Sequence, residues 1–152
     1  MEKAFDSIDH GVLFSKVSHY EIRGLPLDLI NSYLSDRYQY VQISNSKSTL
    51  RPIRTGVPQG NILGPLLFLF YVNDIPQISP NQQTILFADD TATFISDQNY
   101  PELVSNLNHN SINVKSWTDA NRVTEDVNKT QAIVFSNRTV DIVSKPVLIY
   151  EW

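Results

Sequence analysis

Asp89 and Asp90 stand side by side, and adjacent carboxylates offer hard oxygen donors of the kind that hold divalent cations. At the tip of a tight hairpin two such groups can share divalent cations, and two cations roughly 3.5–4 Å apart stabilise an in-line phosphoryl transfer. The pair alone is a weak signal. Among eleven Asp in 152 residues, roughly one adjacent pair is expected by chance. The flanks add weight: Phe87-Ala88 and Thr91-Ala92 are apolar or small, so charges at the end of buried strands need a cation or hydrogen bonds to compensate them. A second set runs from Arg54 to Pro65, where Gly56, Gly60 and Gly64 alternate with Pro58 and Pro65. Such a loop either caps a core helix or lets a ligand approach bare backbone beside the polar Gln59, with a helix N-terminus that favours anions. A third set is the basic strip Arg37, Lys47, Arg51 and Arg54, opposed only by Asp36. It reads as a solvated face or as a grip on a polyanion.

These groups need elements to hold them. Val12, Leu13, Val17 and Tyr20 recur at helical spacing, with Gly24 and Pro26 as stop signals, and Leu27, Ile30 and Leu34 form the face of a second helix ending at Ser35-Asp36. From Tyr38 the period becomes two, giving a hairpin with its turn over Ser44–Ser48 and a return strand from Leu50 to Arg54. Pro65 suits the first turn of an apolar helix running to Val72. Thr84–Ala88 and Thr91–Ile95 read as strands joined at Asp89-Asp90. Leu103, Leu107, Ile112 or Val114, and Trp117 mark a further helix, and Ala132–Phe135 and Val147–Tyr150 read as closing strands. The order points to an α+β fold, helices layered on an antiparallel sheet, with no internal boundary.

The composition excludes several classes. With no Cys there is no disulfide framework, thiolate zinc site or cysteine nucleophile. The longest apolar stretch, Ile62–Val72, is broken by Gly64 and Pro65 and falls short of the roughly 20 residues that span a bilayer, so no membrane partner is expected. Nothing in the chain directs secretion or lipid anchoring. The net charge of -4 argues against a binder that relies on phosphate contacts alone. The acidity is uneven, however: residues 1–60 carry seven Lys/Arg against six Asp/Glu, and residues 61–152 carry five against ten.

Taken in order, the motifs resemble a known family. Lys3-Ala4-Phe5-Asp6-Ser7-Ile8-Asp9-His10, then Gly56-Val57-Pro58-Gln59-Gly60-Asn61-Ile62-Leu63-Gly64-Pro65-Leu66-Leu67-Phe68, then Phe87-Ala88-Asp89-Asp90-Thr91, then Val127-Asn128-Lys129-Thr130 are similar to the reverse transcriptases of LINE-type (non-LTR, jockey-like) retrotransposons. The resemblance covers nearly the whole chain and implies a partial reverse transcriptase domain over residues 1–152: a palm-like antiparallel sheet with helices on one face, plus part of the fingers. It implies an RNA-directed DNA polymerase that uses Mg2+ or Mn2+ in two-metal nucleotidyl transfer, with template RNA, primer DNA and a dNTP as partners. It also implies an intracellular setting, nuclear or cytoplasmic.

Residue by residue, the resemblance makes Asp89 the metal-binding carboxylate of the third motif, with Asp90 beside it. Lys129 corresponds to a lysine near the nucleotide phosphates. Gln59 and Gly60 match the motif that contacts the incoming nucleotide and template, Phe5 the bulky residue that excludes a ribose 2′-OH, and the backbone around Ala4 the triphosphate lining. The strip Arg37, Lys47, Arg51 and Arg54 falls on the fingers side, where positive charge holds template phosphates. Plainer roles remain open: Phe5 as core, Lys129 as a surface residue. The Asp hairpin and the Gly56–Pro65 loop are expected to face one cleft.

The chain departs from the pattern at two places. The family's first motif begins with a catalytic Asp five residues before the position of Phe5, directly before Met1, so the catalytic set is incomplete and the isolated chain is expected to be inactive. Asp6 and Asp9 replace it on composition only, and their positions suit helix initiation. Glu125 stands where the family has an apolar residue on an alternating strand, and an unpaired charge there would destabilise the fold. Two rivals follow: a non-catalytic nucleic-acid-binding or interaction relic of a retrotransposon, and an unrelated metal-dependent phosphotransferase built on an Asp pair.

Overall fold

A computed structural model describes residues 4–137 of the chain. They fall into two compact units that part between Asn73 and Asp74. The first begins with a single helical turn, α1 (Ala4–Ser7), followed by α2 (His10–His19) and α3 (Leu25–Leu34). Asp9 starts α2: its backbone is extended and its Oδ1 accepts the Val12 N–H at 3.0 Å, a cap that contributes about 1 kcal/mol. Leu13 and Val17 are fully buried on one face of α2. The helix ends at His19, before the expected stop at Gly24, because Glu21 turns into the left-handed region at φ 63°. Pro26 then lies in the first turn of α3, where a missing N–H costs nothing. Leu34 is buried there, while Leu25 and Leu29 face outward.

Four short strands follow. β1 (Tyr38–Gln39) pairs antiparallel with β4 (Arg51–Pro52), and β2 (Gln42–Ile43) with β3 (Ser46–Lys47). The turn is narrower than the sequence suggests, because Ser44 adopts φ 52° and Ile43 already faces Ser46. α4 (Leu63–Val72) closes the unit. Gly64, Leu67, Phe68, Tyr71 and Val72 are buried at spacings of three and four. Tyr71 fixes α4 to α2: its hydroxyl oxygen accepts the Asp9 N–H at 3.3 Å, and its carbonyl accepts Lys16 Nζ at 2.6 Å. The ammonium at this helix C-terminus also suits the helix dipole.

The second unit opens with a 3-10 turn, Ile75–Gln77, then β5 (Gln83–Phe87), β6 (Asp90–Phe94) and α5 (Tyr100–Ala120). Asn113 Nδ2 donates to Ser79 Oγ at 3.1 Å and ties α5 to the segment after that turn. On α5, Val114 is half-buried and Ile112 is exposed, which decides between the two apolar positions the spacing allowed. Glu125 is not an unpaired charge on a strand: the segment is irregular, and Glu125 Oε1 accepts the Thr118 hydroxyl at 2.9 Å.

The mixture of helices and antiparallel strands agrees with the α+β expectation, but the described strands form three separate two-stranded ladders in place of one sheet. Ala132–Phe135 is not a strand. Ile133 and Phe135 are 73% and 87% exposed, and the segment gains no ladder partner among the described residues. Val147–Tyr150 lies outside the described residues. No helix among the described residues is long and apolar enough to cross a membrane.

Candidate functional site

In the first unit, the glycine-rich loop is docked on the segment that carries α1 and the start of α2. Gly56 N–H donates to the Ile8 carbonyl at 2.7 Å and Val57 N–H to the Phe5 carbonyl at 2.8 Å, while Thr55 bridges Asp9. The approach is so close that a Cβ on Gly56 would lie 2.8 Å from Asp6 Cα and 2.9 Å from the Asp6 carbonyl oxygen. Gly56 also sits at φ 84°, so a side chain is excluded both by space and by backbone conformation. Further on, Asn61 Nδ2 donates to the Pro58 carbonyl at 2.7 Å and Asn61 Oδ1 accepts the Gly64 N–H at 2.8 Å. This brace brings Gly64 so near Pro58 that a Cβ would overlap its carbonyl oxygen. The glycines of the motif thus answer to backbone contacts within the protein itself at Gly56 and Gly64, whereas Gly60, at φ 81°, faces open space.

The docked loop presents Gln59 at the surface, where its Nε2 donates to Asp6 Oδ1 at 3.2 Å. Gln59, Arg37 and Arg54 line one open cleft of about 680 Å³, together with Asp6 and His10. The sequence pattern assigned Gln59 to nucleotide contact and Arg37 and Arg54 to template phosphates, and gave His10 no role. No local sequence signal marks it: His10 Nε2 meets the Gly56 carbonyl at 2.8 Å, across 46 residues of chain. The cleft offers two guanidinium groups as multidentate donors to an anion, with an amide alongside. Lys47 and Arg51 are not among its lining: Lys47 Nζ lies 5.0 Å from the Tyr40 ring centroid, and Arg51 pairs with Gln39. Ala4 is buried in the core and its carbonyl accepts the Ser7 hydroxyl at 3.1 Å. Phe5 is half-buried, with its ring centroid 4.7 Å from that of Phe68.

In the second unit, β5 and β6 pair from Gln83↔Phe94 to Phe87↔Asp90. The connecting residues are Ala88 and Asp89, one position earlier than the sequence pattern suggests, since Ala88 takes φ 51° and leaves the strand. Asp89 is therefore in the turn and Asp90 is the first residue of β6. Residues opposite each other in an antiparallel pair share a face, so Asp90 lies on the side of Phe87. That side is open: Phe87 is 80% exposed and every residue of β6 is exposed. The expectation of carboxylates at the end of buried strands is overturned, and with it the desolvation argument for a compensating cation. Lys129 ends the 3-10 turn Val127–Lys129 and pairs with Asp126 at 3.3 Å, its side chain 85% exposed.

Carboxylate oxygens are the right donors for Mg2+ or Mn2+, but two make only part of a coordination sphere. No group of three His, Cys, Asp or Glu side chains gathers around a metal-sized space among the described residues. Asp6 is engaged by Gln59 and Asp9 by the α2 N-terminus, so both act as structural acceptors.

Comparison with known proteins bears on the whole length. Residues 1–146 match the family model described as reverse transcriptase (RNA-dependent DNA polymerase). The chain is 30% identical over 146 residues to the RNA-directed DNA polymerase from mobile element jockey of Drosophila melanogaster, covering 91% of this chain and 16% of that protein. It is 31% identical over 155 aligned positions to the probable RNA-directed DNA polymerase from transposon BS of the same organism, covering 97% of this chain and 17% of the relative. A third relative, the probable RNA-directed DNA polymerase from transposon X-element, is 37% identical over 97 residues, 59% of this chain and 10% of the relative. The chain thus spans about a sixth of the length of the first two relatives. No solved structure matches it significantly.

Proposed function

The chain belongs to the reverse transcriptase family, and on that premise we propose that it is the palm, with part of the fingers, of a LINE-type RNA-directed DNA polymerase. The observation that carries this reading is the match of one family model to residues 1–146, spanning all four motifs in order. The docked loop supports it: backbone contacts at Gly56 and Gly64 hold Gln59 outward into a cleft that Arg37 and Arg54 also line. Gln59 and Gly60 contact the incoming nucleotide, Phe5 selects against a 2′-OH, and the Ala4 backbone flanks the triphosphate. Arg37 and Arg54, with Lys47 and Arg51 nearer the hairpin tip, hold template phosphates. Asp89 and Asp90 are assigned the divalent ions of two-metal nucleotidyl transfer, and Lys129 the nucleotide phosphates.

Because Asp6 and Asp9 serve structural roles, neither supplies the first-motif carboxylate, and the 152-residue polypeptide alone is inactive in this reading. The test is primer extension on an RNA template with Mg2+ or Mn2+. It compares this chain with a polypeptide extended through the in-frame codons upstream of Met1 in the native transcript. Extension by the longer protein, lost in Asp89→Asn, is the expected result. Salt-dependent RNA binding without extension by either protein would favour a non-catalytic relic. Nucleotide hydrolysis that ignores the template would favour an unrelated phosphotransferase.

A further inference from the structure

His10 belongs to the first motif and has been given no role in the proposed function. It is the first residue of α2, half-buried, with its ring edge-on to Phe14 at 6.5 Å between centroids. Its Nε2 lies 2.8 Å from the Gly56 carbonyl oxygen. A carbonyl only accepts, so Nε2 must carry the hydrogen, in the neutral Nε2–H tautomer or in the cation. Gly56 is then gripped on both sides of its Cα: its N–H by the Ile8 carbonyl and its C=O by His10. Three residues further on, Gln59 is tied to Asp6, so the loop is anchored at two points to one short stretch of chain.

We propose that His10 is a positioning residue for Gln59. The imidazole clamps the Gly56 carbonyl, the clamp fixes the direction in which the chain leaves Gly56, and that direction presents the Gln59 amide to the cleft. The consequence for nucleotide binding rests on the assignment of Gln59 made above; the clamp itself does not. Two properties of the site support a positioning role over simple packing. The acceptor is the main-chain carbonyl of a residue whose own side chain is excluded by the Asp6 backbone, so the loop is held at this point by main-chain hydrogen bonds and not by a side chain of its own. The donor comes from the first turn of a helix whose start is fixed independently, by the Asp9 cap.

The experiment uses the 152-residue chain as wild type, His10→Ala and His10→Gln, since a Gln amide nitrogen reaches about as far as Nε2 and can donate the same bond. Three readouts are taken. Nitrogen-15 shifts of the wild-type ring should report a protonated Nε2; a bare Nε2 overturns the proposal. Trypsin cleavage after Arg54, referenced to cleavage after Arg122, should quicken about tenfold in His10→Ala, the loss of one hydrogen bond, and return near wild type in His10→Gln. Equal rates in all three, or no restoration by Gln in a folded chain, overturn it as well. Titration with dTTP, followed on the Gln59 side-chain amide resonance, should weaken about tenfold in His10→Ala and recover in His10→Gln. A Gln59 signal that ignores dTTP in the wild type, while cleavage still separates Ala from Gln, supports the clamp and overturns the nucleotide reading of Gln59.

Discussion

Gly56 and Ala88 both occupy the left-handed backbone region, at φ 84° and 51°, and both stand inside sequence motifs, yet for unlike reasons. At Gly56 the conformation is imposed from outside, by a segment nearly fifty residues earlier whose backbone leaves no room for a Cβ. At Ala88 it is imposed from within, by the two-residue connection between β5 and β6, and a methyl group is accommodated. The loop is a tertiary object and the hairpin a local one. It follows that the loop's geometry depends on the core of its unit, whereas the Asp hairpin can keep its register while both its faces stay largely open.

Substitutions at the two positions should separate these cases. Gly56→Ala forces a methyl into the Asp6 backbone at a strained φ, and should destabilise the first unit by about 3 kcal/mol or more in urea denaturation. An unshifted midpoint would mean that the loop is not docked as described. Asp9→Ala removes the α2 cap beneath the docked loop and should lower stability by about 1 kcal/mol by the same measurement. Ala88→Gly should act in the opposite sense, stabilising the hairpin by about 0.5–1 kcal/mol because glycine relieves the left-handed strain. Slower amide exchange along β5 and β6 would register it; faster exchange would place the strain elsewhere. The smallest effect belongs to Asp90→Asn, on an exposed strand face, which should leave the denaturation midpoint within about 0.5 kcal/mol. A larger loss would show that the carboxylate supports the fold and is not held in reserve for chemistry.

The same contrast explains what could be read from the residues alone. Apolar spacing located α2, α3 and α5, because each turns one stripe of side chains at least partly inward and the stripe is written locally, while α4 was legible as an apolar run opened by Pro65. The hairpin around Asp89 was legible too, but its turn was displaced by one residue, since nothing local distinguishes an alanine that leaves the strand from one that stays in it. Turn α1 escaped notice: four residues are too few to show a period. The docking of Gly56 on Ile8 and the hydrogen bond from His10 have no local signature at all. Ala132–Phe135 carries β-branched and aromatic residues and still forms no strand, which shows propensity yielding where no partner strand is at hand. Membership of the family was legible because motif order survives even where the geometry behind each motif is hidden.

The contact between His10 and Gly56 joins positions 46 residues apart. A ribosome adding about 5–20 residues per second takes ~2–10 s to cover that interval. During those seconds α2 and α3 can already pair, since their contacts are close in sequence, while the surface awaiting residues 55–57 has nothing to receive. Function-bearing geometry in this unit is therefore assembled only after the α2–α3 pair, as the loop and α4 arrive. A nascent chain halted before Gly56 would own the α2–α3 pair and the short strands β1 to β4, but no cleft.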